Sequence, residues 1–107
     1  MNETTIKVLI VDDDFRVANL HAGIVDAVPG FTVVSTANSI GAAHEVTRST
    51  DVDLALVDVY LPDGSGIDFV RELRCDAMIL SAAVDGATIR QALIAGAASY
   101  LVKPFAN

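Results

Sequence analysis

Carboxylates stand directly after two aliphatic runs of this chain. Residues 6–11 are followed by Asp12 and Asp13, and residues 54–57 are followed by Asp58. A carboxylate beside a buried segment is costly unless a cation compensates it. Taken alone, each could simply begin a turn or a helix, since Asp favours both positions. As a cluster they would titrate together, and Mg²⁺, which prefers carboxylate oxygens and water, would keep them ionised.

A hydroxyl and a lysine follow two further apolar runs. Ser81 closes residues 77–80, and Lys103 follows residues 99–102. A carboxylate held by Mg²⁺ can attack phosphorus, while a cation and a hydrogen-bond donor stabilise the equatorial oxygens. Individually, Ser81 could be an ordinary strand-end residue and Lys103 a solvated loop lysine. Together with Asp58 they favour phosphoryl transfer.

The elements that would bring these residues together are five predicted strands alternating with four predicted helices. This pattern predicts an α/β fold, a doubly wound five-stranded parallel sheet of flavodoxin-like order 2-1-3-4-5. In that order the carboxyl ends of strands 1, 3, 4 and 5 meet at one edge. Apolar residues at helical spacing predict the inward face of each helix: Val17, Leu20, Ile24 and Val28; Ile40, Ala43 and Val46; Ile67, Val70 and Leu73; Ile89, Ala92 and Leu93.

Composition narrows the class of protein. The chain has 107 residues, of which 52% are hydrophobic, and a net charge of −7. This length and composition predict one folded domain over residues 1–107. No apolar run is long enough to cross a membrane. Fourteen acidic residues against seven basic ones argue against direct contact with nucleic acid. The N-terminus lacks a basic or apolar leader pattern and Cys75 is the lone cysteine, so we expect a cytoplasmic protein.

These residues resemble the receiver domain of two-component response regulators over nearly the whole chain. The stretches 13–18 and 59–66 are most similar to citrate/malate-type transcriptional regulators. The resemblance implies that Asp58 accepts a phosphoryl group from a sensor histidine kinase. It implies that Mg²⁺ binds Asp12, Asp13, Asp58 and the backbone carbonyl of Tyr60.

The resemblance also assigns a switch. Ser81 would be the switch hydroxyl, Tyr100 the switch aromatic and Lys103 the phosphoryl-binding lysine, with a cis peptide bond between Lys103 and Pro104. Tyr60 and Ala83 would flank the approach of water, and neither carries a group that orients it. We therefore expect slow autodephosphorylation, and a signalling domain that catalyses its own phosphotransfer rather than an enzyme.

The chain departs from the family pattern in two places. No fifth helix follows Lys103, and residues 74–76 form a short connection between the third helix and the fourth strand. The sequence is then either a fragment of a longer regulator or a trimmed domain. The resemblance implies a DNA-binding output domain downstream. The uncovered sheet face predicts association, such as a homodimer.

Three other functions were weighed. A haloacid-dehalogenase-like phosphatase needs a second Asp two residues after its nucleophile, where this chain has Tyr60. A nucleotide-binding module needs a glycine-rich turn after strand 1, where this chain has three acids. A receiver-like module that is never phosphorylated remains open. His21 and His44 are expected to be surface or boundary residues, Phe69 is expected in the core, and Cys75 is expected to be an unremarkable thiol.

Overall fold

A computed structural model describes residues 5–81, 86–97 and 99–102. Seven strands and four helices follow one another along these residues: β1 Ile6–Val11, α1 Phe15–Asp26, β2 Phe31–Ala37, α2 Ile40–Ser49, β3 Leu54–Asp58, β4 Tyr60–Leu61, β5 Gly64–Ser65, α3 Gly66–Glu72, β6 Asp76–Ser81, α4 Gly86–Ala95 and β7 Ser99–Val102. Strands β4 and β5 form a separate antiparallel ribbon.

The other five strands form one parallel sheet in the order β2-β1-β3-β6-β7. This is the predicted 2-1-3-4-5 order once the β4–β5 ribbon is set aside. Neighbouring residues of β1 and β3 point to opposite faces, as the period of two in a strand requires. Leu9 and Val57 enter the cluster beneath α2 and α3, while Val8 and Leu56 enter the cluster beneath α1. Both faces of the central strands are therefore buried.

The predicted inward face of α1 was wrong in part: Val17 and Ile24 are half-buried, but they are not the residues that the helix buries most deeply. Ala18 and His21 are buried, whereas Leu20 is half exposed and the helix ends at Asp26, before Val28. The helix packs on the sheet through one small and one polar residue, neither of which an apolar pattern selects. His21, expected at the surface or boundary, is fully buried.

The other helices follow the pattern more closely. Ala43, Ile67 and Val70 are buried as predicted, and Phe69 lies in the core. In α4 the prediction holds for Ala92, which is buried, and is wrong for Leu93, which is half exposed. Gly96 ends α4 with a φ of 113°, the left-handed conformation that glycine adopts without strain.

An apolar groove of about 160 Å³ runs between α1 and the sheet. Val8, Val25, Leu54 and Met78 are among the residues that line it. It lies on the face that was predicted to be incompletely covered. The predicted absence of a fifth helix concerns residues after β7, which lie outside the described residues.

Candidate phosphoacceptor site

The sheet brings Asp12, Asp13 and Asp58 together. Val11 pairs with Val57 across β1 and β3, so the residues that follow them stand side by side at the carboxyl edge. One carboxylate oxygen from each of the three residues lies within 4.8 Å of the others. Asp12 and Asp58 are buried, with 3% and 7% of their surfaces exposed, while Asp13 is exposed.

Backbone hydrogen bonds hold the first of these acids in place. The Asp12 N–H donates to the Ala37 carbonyl at 2.9 Å, which ties the end of β1 to the end of β2. Its carboxylate accepts a hydrogen bond from the Asp14 N–H at 2.9 Å. Asp14 caps α1, because its carboxylate accepts from the Arg16 N–H at 2.9 Å. The three consecutive acids therefore divide between the cluster and the start of a helix.

The loop after Asp58 is closed tightly. The Gly66 N–H donates to the Val59 carbonyl at 2.7 Å, and Ser65 caps α3 by accepting from the Ile67 N–H at 3.1 Å. A Cβ on Gly66 would overlap the carbonyl oxygen of Asp58 and lie 2.9 Å from its carbonyl carbon. The loop can lie this close to β3 only because residue 66 is glycine.

Two other predicted residues lie on neighbouring strands. Asp58 pairs with Leu80 across β3 and β6, so Ser81 follows at the same edge of the sheet. Tyr100 lies in β7, where it pairs with Ile79. For both residues the description extends to the backbone, so their roles in switching stay predictions.

Three predicted residues lie outside the described residues: Ala83, Lys103 and Pro104. Their predicted roles in water access, phosphoryl binding and the cis peptide bond stay predictions. Tyr60 is described and belongs to the β4–β5 ribbon, with 66% of its surface exposed. Its side chain therefore lies largely in solvent, and its effect on the lifetime of a phosphorylated state also stays a prediction.

A solvent-open cavity of about 290 Å³ adjoins the acid cluster. Its wall includes Asp12, Asp13, Thr36 and Asn38, and Phe15 stands at its side with 75% of its surface exposed. Sequence patterns did not single out Phe15, Thr36 or Asn38. The cavity leaves the acid cluster open to ions on the side of β2.

Asp63 is a structural anchor that no sequence pattern indicated. Its two carboxylate oxygens accept hydrogen bonds from the backbone N–H groups of Ile40, at 2.8 Å, and Gly41, at 3.0 Å. These donors, Gly41 first and Ile40 second, hold the pKa of Asp63 below its usual range. The sequence signal was a Pro-Asp-Gly turn, which does not reveal that its Asp contacts a helix 22 residues earlier.

Two residues distant from the acid cluster also have defined surroundings. His44 lies 3.2 Å from the Glu72 carboxylate and makes an edge-on contact with Phe69, with ring centroids 5.1 Å apart. It is half-buried, as a boundary residue was expected to be. Burial raises the pKa of the Cys75 thiol, which leaves less of the reactive thiolate at neutral pH.

The family model of the response regulator receiver domain matches residues 8–107 of this chain. The chain is a response regulator receiver domain. The transcriptional regulatory protein DcuR of Escherichia coli is 40% identical over 94% of this chain, and CitT of Bacillus subtilis is 34% identical over 92%. This receiver domain spans 45% and 46% of their respective lengths. The predicted similarity to citrate/malate-type transcriptional regulators is confirmed.

Solved structures give the same fold. The signal receiver domain of a putative response regulator NarL from Mycobacterium tuberculosis is 26% identical, with a TM-score of 0.89. The alignment covers 97% of this receiver domain and 88% of that chain. A LuxR-family response regulator from Aurantimonas, with 28% identity and a TM-score of 0.87, covers 94% of this domain and 76% of its own chain. Within the described residues, no helix is both long and apolar enough to span a bilayer.

Proposed function

We propose that this receiver domain is a phosphorylation-activated switch that accepts a phosphoryl group on Asp58 from a sensor histidine kinase. The acid cluster carries the proposal. Two carboxylates are buried at the end of adjacent parallel strands and a third stands at the surface, with oxygens from all three within 4.8 Å. Such a set of oxygens suits a hard divalent cation, and we infer Mg²⁺.

Asp12, Asp13, Asp58 and the Tyr60 carbonyl would hold this ion. When bound, Mg²⁺ offsets the negative charge that separates a carboxylate from an incoming phosphoryl group. An Asp58 oxygen forms a bond to phosphorus while the phosphorus–nitrogen bond of the phosphohistidine breaks. The donor imidazole is protonated on its other ring nitrogen and leaves as the neutral base. The burial of Asp58 fixes the direction from which the donor can approach.

The response of the domain would involve Ser81, Lys103 and Tyr100. In this proposal Lys103 and the Ser81 hydroxyl bind the phosphoryl oxygens, and Tyr100 moves into the space that Ser81 vacates. The relatives DcuR and CitT are transcriptional regulatory proteins, which supports a downstream DNA-binding output domain. We place this signalling in the cytoplasm, and homodimerisation through the apolar groove beside α1 remains part of the proposal.

The test is phosphorylation by a small acyl phosphate in the presence of Mg²⁺, followed by intact mass measurement. The parent chain should gain one phosphoryl group, and chelation of the metal or Asp58→Asn should abolish the gain. Asp53→Asn is the matched control, because that exposed carboxylate accepts from the Lys7 N–H at the opposite edge of the sheet. A phosphoryl group that persists in Asp58→Asn would contradict the assignment.

A further inference from the structure

The loop between β3 and α3 is anchored to a second helix through one side chain. Asp63 lies at the tip of the β4–β5 ribbon, and its carboxylate accepts from two backbone N–H groups at the start of α2, those of Ile40 at 2.8 Å and Gly41 at 3.0 Å. A carboxylate that accepts two N–H groups at a helix N-terminus makes charge-assisted hydrogen bonds and complements the helix dipole. The ribbon is thereby attached to α2.

The same ribbon also bears on the phosphoacceptor. Tyr60 pairs with Ser65 across the ribbon, and the Gly66 N–H donates to the Val59 carbonyl. Gly66 in turn packs directly on the Asp58 carbonyl group. A displacement of the ribbon tip therefore passes through a short, closed loop to Asp58 and to the Tyr60 carbonyl.

Packing around the ribbon reinforces this attachment. Leu61 is buried in the core cluster against which Ile40 packs. A Cβ on Gly64 would lie 3.0 Å from the Cδ1 atom of Ile40, so the ribbon and the first residue of α2 are in close apposition. Because Gly64 lies close to Ile40 and Leu61 is held in the core, the ribbon has little freedom to reorient while the Asp63 carboxylate keeps both bonds.

We propose that Asp63 is a positioning residue for the acid cluster, which holds the β3–α3 loop against α2 in the geometry that binds Mg²⁺ and phosphorylates Asp58. This inference rests on the proposed function. Asp63 acts through the loop and belongs to neither the metal ligands nor the reacting groups. In this proposal α2 helps to set the geometry of the acid cluster, and a change at the acid cluster is transmitted to α2.

Two substitutions separate positioning from charge. Asp63→Asn and Asp63→Ala remove the same negative charge, but Asn keeps one oxygen that can accept an N–H and Ala keeps none. Positioning therefore predicts graded affinities for Mg²⁺, with Asp above Asn above Ala. Outer-shell changes weaken metal sites by about 10- to 100-fold, and we expect about tenfold for Asp63→Ala. A field effect of the lost charge would be equal in both variants and would fade at high salt.

The experiment titrates Mg²⁺ calorimetrically and then measures the rate of phosphorylation by an acyl phosphate at saturating Mg²⁺. Asp53→Asn and Asp53→Ala are matched controls, since both remove a charge at the far edge of the sheet and Ala also removes the acceptor for the Lys7 N–H. They should keep the parental Mg²⁺ affinity even where they lower the melting temperature. If Asp63→Ala does not fold, Asp63→Asn is compared with Asp53→Asn at low and at high salt, and a loss of affinity that is confined to Asp63→Asn and persists at high salt supports positioning.

A graded loss of affinity and of rate in the Asp63 variants alone supports the inference. Equal losses in Asn and Ala that disappear at high salt would overturn it in favour of charge. If both variants keep the parental Mg²⁺ affinity and phosphorylation rate, the inference is overturned and Asp63 serves only as a structural cap of α2. If the parent itself takes up neither Mg²⁺ nor a phosphoryl group, the proposed function fails and this inference fails with it.

Discussion

Gly66→Ala should damage the candidate phosphoacceptor site. The same substitution should raise the intrinsic helix propensity of α3. Gly66 is the first residue of α3, where alanine is the better helix former. An added Cβ would nevertheless lie 2.9 Å from the Asp58 carbonyl carbon, closer still to its oxygen, and 2.8 Å from the Cγ1 atom of Val57. The substitution therefore has two opposing effects: a higher helix propensity at residue 66 and a steric clash with β3, the strand that carries Asp58.

The clash has a definite size. Ordinary contact begins at 3.4 Å, so the loop and β3 must separate by about 0.5 Å at the carbonyl carbon and by more at the oxygen. Overpacking of this kind lowers the free energy of unfolding by about 1–3 kcal/mol. Each kcal/mol lowers the melting temperature of a domain of this size by about 4–8 °C. A misplacement of about 1 Å can cost about 100-fold in rate, so a separation of half that distance or more should slow phosphorylation by at least about tenfold.

Thermal unfolding and phosphorylation by an acyl phosphate measure the two effects. Gly23→Ala is the matched control, because Gly23 lies in α1 with no atom within 4 Å of the added Cβ. It should stabilise the fold by about 0.5–1 kcal/mol and leave the rate unchanged. A Gly66→Ala variant that melts and phosphorylates like the parent would refute the close approach of the loop to Asp58.

Two further predictions concern charge. Asp13→Asn should raise the melting temperature in chelator and weaken Mg²⁺ binding, because it removes repulsion from the acid cluster; a lower melting temperature in chelator would contradict that. Asp63 has a lowered pKa in the folded state, so it stabilises the fold above its unfolded pKa, and this contribution is lost as pH falls through the folded value. The stability difference between the parent and Asp63→Asn should therefore shrink below about pH 5 in acid titrations, and a constant difference would refute it.

The sequence was sufficient to predict the sheet and the acid cluster. Continuous aliphatic runs identified the strands, and the strand order then determined which strand ends meet, so Asp12 and Asp58 could be paired without coordinates. Both steps depend on the burial of local runs, which a single sequence displays directly. The prediction of the inward face of α1 was partly wrong for a related reason. The pattern followed the largest residues, such as Leu20, whereas the helix packs through Ala18 and His21.

The loop after Asp58 was beyond sequence reasoning for a different reason. Its Pro-Asp-Gly composition indicates a turn, and the β4–β5 ribbon is consistent with one. The partners of that turn lie elsewhere in the chain, however: Asp63 bonds to residues 22 and 23 positions earlier, and Gly66 meets Asp58. Contacts between separate segments leave no local period, so neither residue stood out.

The two halves of the site are consequently held with different strength. Asp12 follows β1, whose residues Val8–Val11 are fully buried, so its position can change only if the sheet itself opens. The loop that would supply the Tyr60 carbonyl is held at its tip by Asp63, an exposed carboxylate with two hydrogen bonds, and otherwise by Leu61 in the core and the close approach of Gly66 to β3. Segments with few buried contacts open at lower free energy than the core. If the domain switches as proposed, the strand end would provide its fixed part, and the loop attached to α2 would move once the hydrogen bonds of Asp63 are broken.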